Sequence, residues 1–377
     1  QSKLPNTGTS IFAVMTQLAR EYKAVNLSQG FPDFPVSPEL IELVHKYMKN
    51  GYNQYALMPG VTELRQAISR MFRENYGAHY DPDTEINIVA GATQGLFNAI
   101  STFVNRGDEV IIFEPAYDSY APAVEANGGV VKYVELHFPD FRIDWEKVKA
   151  AINAKTRMIV VNSPHNPTGS ILYEDDLIQL EKLTRGTGII VLSDEVYEHI
   201  IFEGKKHRSV CRFPELASRS LLVGSFGKTF HATGWKTGFV LAPENLMKEF
   251  RKIHQFMVFA VNTPMQHAIA EYLSDSKHYT NLGSFFQEKR DFFLSGLKNS
   301  RFKILPSYGT YFQLLDYSNI SDEPEVEFAT RLIKEHGIAG VPVSSFYHNA
   351  KDNKTIRFCF AKERSTLEKA IEILCRI

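Results

Sequence analysis

Short apolar runs alternate with amphipathic stretches between about residues 60 and 275. INIVA (86–90), EVIIF (109–113), VVKYV (130–134), RMIVVN (157–162), IIVLSD (189–194), SLLVG (220–224) and FVLA (239–242) read as strands. Several lack any polar alternation, the mark of strands covered on both faces of a parallel sheet. Between them, TELRQAISRMFREN puts Leu64, Ala67, Ile68, Met71 and Phe72 on one helical face. The pattern predicts an α/β fold whose mostly parallel sheet of about seven strands is sandwiched by helices. Ligands of such sheets bind beyond the carboxyl ends of the strands.

Past residue 278 the character changes. SFFQEKRDFFLSGLKNS, EVEFATRLIKEHG and STLEKAIEILCR read as helices, and FKILP, TYFQLLDY and TIRFCFA as short strands. This predicts a large domain over 31–278 and a smaller α+β domain from 279–377 together with residues 1–30, an opening arm whose own pattern assigns no element. A length of 377 residues agrees with two domains. Lysine and arginine (42) nearly balance aspartate and glutamate (43), and no basic block suggests nucleic acid. No apolar stretch approaches the roughly 18–20 residues of a membrane span. Cys211, Cys359 and Cys375 are few and scattered, which argues against a disulfide frame or zinc site and for a reducing, cytoplasmic setting.

Chemistry concentrates in VGSFGKTFHATGWKTGF (223–239), which holds Lys228 and Lys236. The run FGKT suggests a phosphate-binding P-loop, but the required glycine five residues before Gly227 is Leu222. A lysine in such a turn has a second use, as an amine nucleophile that forms an imine. Other chemical residues also follow predicted strands. GATQGLFNAI enters a helix after INIVA, so that Ala92, Thr93 and Gln94 form an anion site at its start. EPAYDSYAP offers Tyr117 as a flat partner for a ring, and NSPHNPTG holds Asn162 and Asn166 in a proline-stiffened turn. Packing of the tyrosine and turn formation by the asparagines are the plainer readings of each alone. Asp194 ends a buried strand, with Tyr197 three residues on, and a carboxylate there requires a cationic partner.

Together these pieces fit a phosphorylated aromatic aldehyde with a ring nitrogen, pyridoxal 5′-phosphate. Lys228 would form the imine and Asp194 would keep the ring nitrogen protonated. Tyr197 and Asn166 would hold the ring oxygen, and Tyr117 would stack on the ring. Ser225, Lys236 and the turn at 92–94 would hold the phosphate.

In these motifs, and in LSQGFPDF, NQYALMPGVTELR, FAVNTP, GTYF and IRFCFAK, the chain resembles fold-type I, class I/II pyridoxal-phosphate aminotransferases. It is most similar to the branch of kynurenine/glutamine transaminases and methionine aminotransferases. One departure is Lys236, where many members carry arginine; lysine binds phosphate as a point charge rather than a fork. The resemblance implies that Arg357 binds the substrate α-carboxylate, assisted by Gly30 and Asn166. It also implies a homodimer in which Tyr55 and the segment around Phe259 reach the partner's site. His165 and His231 adjoin motif residues, yet the imine lysine already provides acid–base chemistry, so both read as packing or gating groups. The implied activity moves an amino group from an amino acid donor to a 2-oxo acid. Its rivals are cysteine-conjugate β-lysis at the same site and a regulatory protein that only binds the cofactor. The resemblance brings SQGFPDF, NQYALM, EPAYDSY and FAVNTP to the site; they supply Phe31, Tyr55, Tyr117 and Phe259 but no arginine or lysine. Methionine, aromatic amino acids, kynurenine and glutamine are therefore expected to be better donors than aspartate.

Overall fold

The computed structural model describes residues 2–5 and 7–377. The arm folds as helix α1 (Ile11–Glu21), capped by the Ser10 hydroxyl on the Ala13 amide, followed by strand β1 (Val25–Asn26). Helices α2 (Pro38–Lys49) and α3 (Thr62–Tyr76) follow. The predicted apolar face of α3 is buried, together with Arg65, which the pattern did not flag and which pairs with Asp83 at 2.8 Å.

The main sheet contains all seven predicted strands: β2 (Ile86–Val89), β3 (Glu109–Glu114), β4 (Val130–Glu135), β5 (Thr156–Asn162), β6 (Ile190–Asp194), β7 (Ser220–Ser225) and β8 (Gly238–Leu241). Their order is β2-β8-β7-β6-β5-β3-β4. Neighbours run parallel except that β8 is antiparallel to both β2 and β7. Apolar residues such as Ile88, Ile111, Val191 and Leu222 face one core, and Val89, Val110, Leu192 and Val223 face another. Two-sided burial explains why these strands read as unbroken apolar runs.

The reversal of β8 bears on function. Its first residue, Gly238, lies opposite Val89 and Ser225, so the segment entering it reaches the end of the sheet where the parallel strands finish. A Cβ on Gly238 would come within 2.6 Å of the Gly224 carbonyl oxygen and 3.2 Å of the Ala92 amide nitrogen, so only glycine fits this junction. Helix α4 (Ala92–Phe103) leaves β2 at the same end.

The C-terminal part builds a four-stranded sheet from β9 (Lys303–Ile304), β10 (Phe312–Asp316), β12 (Val341–Pro342) and β13 (Thr355–Cys359), in the order β12-β13-β10-β9. Strand β11 (Ile338–Ala339) instead pairs in parallel with β1 of the arm. The two layers meet at the ends of β3 and β4. Glu114 and Glu135 are paired in register there, and they hold His348 (2.9 Å) and Lys351 respectively. All three cysteines are free, and no helix among the described residues is long and apolar enough to cross a membrane.

Candidate active site

A cavity of about 330 Å³ opens beyond the carboxyl ends of β5, β6 and β7. Its wall includes Gly30, Ala92, Thr93, Tyr117, Asn162, Asn166, Asp194, Tyr197, Ser225, Lys228, Lys236 and Arg357. Chain segments more than three hundred residues apart thus converge on one space.

Asp194 is 3% exposed. One carboxylate oxygen accepts from the Tyr120 hydroxyl at 2.5 Å and the other from the Val196 amide at 3.3 Å. Its main-chain carbonyl accepts from Asn162 Nδ2 at 2.9 Å, which ties the ends of β5 and β6 together. Burial pushes the acid up from 3.8 to about 6, against the pull of those hydrogen bonds. The cationic partner expected for this carboxylate is therefore not a side chain at ion-pair distance; among the described residues a tyrosine hydroxyl stands in its place.

Lys228 lies in the one-turn helix Phe226–Thr229 that follows β7. Its Nζ donates to the Gly30 carbonyl at 3.1 Å and stands 5.7 Å from the ring centres of Tyr197 and Tyr311. Burial pushes its ammonium down to about 8, with Arg357 and Lys236 adding repulsion. Lys236 holds a left-handed backbone (φ +51°) just before β8. A Cβ on Gly91 would lie 3.1 Å from its Nζ, which sets the ammonium beside the start of α4. Cation and unpaired helix-start amides together favour an anion there.

Arg357, in β13, is 1% exposed. Its Nη1 donates to Asn166 Oδ1 at 2.7 Å and its Nη2 to the Ser28 carbonyl at 3.0 Å, while its Nε has no partner. The Phe312 ring lies 3.9 Å from the guanidinium carbon, and the Phe12 and Phe346 rings lie 5.1 and 5.3 Å away. Burial lowers the guanidinium to about 10. No carboxylate forms an ion pair with it among the described residues, so pairing with a neighbouring acid does not explain why it is buried.

Two candidates lie off this wall. Gln94 turns away: its Oε1 accepts from the Ala90 amide (3.1 Å) and its Nε2 reaches His254 (3.4 Å). It braces the turn, and its side chain does not face the cavity. Tyr55 is 84% exposed, packed edge-on against Phe259 on the surface. His165 bonds Thr168 (2.7 Å) and His231 sits among Phe34, Phe285 and Phe286, both away from the cavity wall. Phe12, Asp118, Tyr120 and Phe312 belong to the wall without having been foreseen. Tyr120 follows Tyr117 by three residues into the helix Tyr120–Ala126, a spacing that could have flagged it. The aromatic residues from α1 and β10 carry no local signal.

The sequence model of the aminotransferase class I and II family matches residues 22–374. The chain belongs to that family. This aminotransferase is 47% identical over 375 residues to the methionine aminotransferase of Escherichia coli K12, covering 99% of this chain and 97% of that one. It is 32% identical over 411 residues to a kynurenine–oxoglutarate transaminase of Dictyostelium discoideum, covering 98% and 94%. A crystal structure of an Escherichia coli protein with a methionine aminotransferase function superposes with a TM-score of 0.98 at 46% identity, covering 100% and 99% of the two chains. The likeness spans both sheets, and the α/β architecture is that of the family.

Proposed function

We propose that this aminotransferase uses pyridoxal 5′-phosphate to move the amino group of methionine, aromatic amino acids, kynurenine or glutamine onto a 2-oxo acid. The observation that carries the proposal is a pair of buried, oppositely charged groups, Asp194 and Arg357. Neither has an ion-pair partner among the described residues, and both face a cavity that also holds Lys228. Burial of an isolated charge is costly, so each is explained by a ligand that supplies its counter-charge. A ring nitrogen fits Asp194 and an α-carboxylate fits Arg357.

Lys236, Ser225 and the amides of Ala92 and Thr93 would hold the phosphate, and Tyr117 would cover one ring face. Tyr197 and Asn166 would face the ring oxygen, with Asn162 fixing the Asp194 main chain. When bound, the cofactor supplies an aldehyde for the amino group and a protonated ring that withdraws the electron pair left at Cα. Arg357 and Asn166 orient the substrate by its carboxylate, and the aromatic rings about the guanidinium exclude water from that contact. Lys228 Nζ takes up the proton that leaves Cα, and its lowered pKa suits an amine that accepts and returns protons near neutrality. Two half-reactions at one site give ping-pong kinetics.

The division into a large domain over 31–278 and a smaller one from 1–30 and 279–377 is supported by the β1–β11 pairing. A homodimer is supported by the exposed Tyr55–Phe259 pair and by the exposure of Leu57 and Phe256, which neighbour them in sequence. A cytoplasmic setting agrees with the free cysteines. The donor preference follows from an aromatic wall. A thioether or ring gains roughly 25 cal/mol per Å² of buried apolar area, whereas a carboxylate near Asp118 meets a like charge. The decisive experiment records the absorption spectrum of the purified protein before and after each candidate donor. It then measures kcat/KM for methionine, phenylalanine, kynurenine, glutamine and aspartate against one 2-oxo acid. Aspartate as the best donor overturns the preference. A cysteine S-conjugate that releases its thiol together with pyruvate and ammonia, without an acceptor, would mark β-elimination instead.

A further inference from the structure

Strands β5, β6 and β7 end in residues of the cavity wall, Asn162, Asp194 and Ser225. Strand β3 ends in Glu114, a carboxylate 3% exposed that stands outside that wall. Its two oxygens lie 2.9 and 3.0 Å from His348 Nδ1, and one of them accepts from the His348 amide at 3.0 Å. An ionised carboxylate only accepts, so Nδ1 carries the proton and the contact fixes the ring. That ring lies flat on Tyr133 of β4, with 4.2 Å between centres and 5° between planes. The Ala116 amide donates to the Phe346 carbonyl at 2.8 Å. Residues 346–348 are thus fastened at three points to the exits of β3 and β4, and the β3 exit runs straight into Tyr117 of the cavity wall.

The same segment is tied at its other end to Arg357. Val341 of β12 pairs with Arg357, and Pro342 leads into the single turn Val343–Phe346. The Phe346 ring lies 5.3 Å from the guanidinium carbon and meets Phe12 edge-on at 5.7 Å. The loop between is braced from within, because Glu325, 1% exposed, accepts from the amides of Ser344, Asn353 and Thr355. A buried carboxylate satisfied by three amides makes the loop move as a unit, so a shift at His348 becomes a shift at Phe346.

We propose that His348 is a positioning residue for substrate: seated on Glu114 and Tyr133, it sets the place of Phe346 and Arg357 relative to the ring site that Tyr117 bounds. The inference rests on the aminotransferase reading of the cavity and assigns control of the α-carboxylate contact to a residue outside it. The Lys351–Glu135 pair spans the same boundary, but it is half-exposed on both sides and touches neither Phe346 nor the β3 exit, so it serves as the control.

The test uses the holoenzyme and its His348→Phe, His348→Asn and Lys351→Met variants. Phenylalanine keeps a ring for Tyr133 and removes the donor to Glu114, whereas asparagine keeps a donor near the Nδ1 position and removes the ring. kcat and KM are measured for methionine against one 2-oxo acid. Calorimetric binding of 4-methylthiobutanoate, which is methionine without its amino group, reads the Arg357 contact without turnover. His348→Phe should raise KM about tenfold and weaken 4-methylthiobutanoate binding by the same factor, the weight of one hydrogen bond to a charged group. kcat should stay within about threefold, with the cofactor absorbance and its retention as in the parent. His348→Asn should recover most of the loss, and Lys351→Met should stay within about twofold of the parent. Glu114→Gln combined with His348→Phe leaves no unpaired charge at the end of β3 and carries the same expectation if His348→Phe alone does not fold. Unchanged KM and 4-methylthiobutanoate binding, a fall in kcat that follows cofactor loss, or an equal effect of Lys351→Met overturns the positioning role. A parent that turns over no donor, with 4-methylthiobutanoate binding still dependent on His348, would reject the catalytic reading and keep the positioning of Arg357.

Discussion

Replacing Asp194 by asparagine should change the stability of the cofactor-free and cofactor-bound enzyme in opposite directions. The buried carboxyl group rises from 3.8 to about 6 on folding. Between those values the folded protein holds a proton that the unfolded chain releases, so stability falls as pH rises through the window. At about 1.4 kcal/mol per tenfold, the full cost above pH 6 is about 3 kcal/mol, and about half of it is present at pH 5. Asparagine keeps the shape and can still meet the Tyr120 hydroxyl and the Val196 amide, so it removes the charge and little else. An unfolding entropy of about 2.1 cal/mol/K per residue makes 3 kcal/mol worth about 4 °C in a chain of this length. Scanning calorimetry of the stripped Asp194→Asn enzyme should show a Tm about 4 °C above the parent at pH 8 and about 2 °C above it at pH 5. With the cofactor bound the order reverses, because the carboxylate then has a cationic partner. Losing one member of a buried ion pair costs about 3–5 kcal/mol, and turnover should drop roughly a hundred- to several-thousand-fold. A stripped variant less stable than the parent at pH 8, or a rate loss under about tenfold, would refute the reasoning.

Lys228→Ala should fold and retain cofactor through Lys236, Ser225 and α4 while losing turnover; near-normal turnover would move the assignment to Lys236. In the stripped parent, covalent capture of pyridoxal 5′-phosphate should quicken with pH about a midpoint near 8, the value to which burial lowers Lys228, whereas a midpoint near the ordinary 10.5 would contradict that burial. Gly30→Ala would bring a Cβ within 2.9 Å of Phe312 Cζ, and that ring packs on Arg357. The displacement should cost about 1–3 kcal/mol of stability and raise KM for donors about tenfold or more, with a smaller change in kcat; an unchanged KM counts against the role of Phe312. Tyr55→Ala should lower kcat/KM about tenfold in a protein that sediments as a dimer, and a fully active monomer would dispose of the shared-site proposal.

The sheet was legible because two-sided burial leaves unbroken apolar runs, and each chemical residue after a strand was legible because parallel strands deliver their ends to one edge. The antiparallel course of β8 was not legible, since FVLA reads the same in either direction, yet it is what carries Lys236 to that edge. Arg357 entered through resemblance and Phe312 was not foreseen, because an arginine or phenylalanine in an apolar strand signals nothing about a distant turn. The course of the Gln94 side chain was not legible, because a glutamine at a helix start serves the backbone of its own turn as readily as a ligand.

The pairing of β1 with β11 has a consequence for the order in which the protein matures on the ribosome. Asp194, Lys228 and Lys236 are all synthesised before β8 is complete, and a nascent chain of that length already contains one wall of the cavity. The loop at Ser28–Gly30, made well before them, gains the strand pairing that holds its start only when residues 338 and 339 emerge to pair with residues 25 and 26. The Arg357 strand follows, and its side chain and main chain fasten Ser28 and Leu27 in turn. Contacts so distant in sequence form slowly, because the intervening chain must be ordered first. Substrate recognition is thus acquired late in synthesis, and termination between residues 240 and 356 yields a chain with Lys228 but without the Arg357 proposed to select what reaches it.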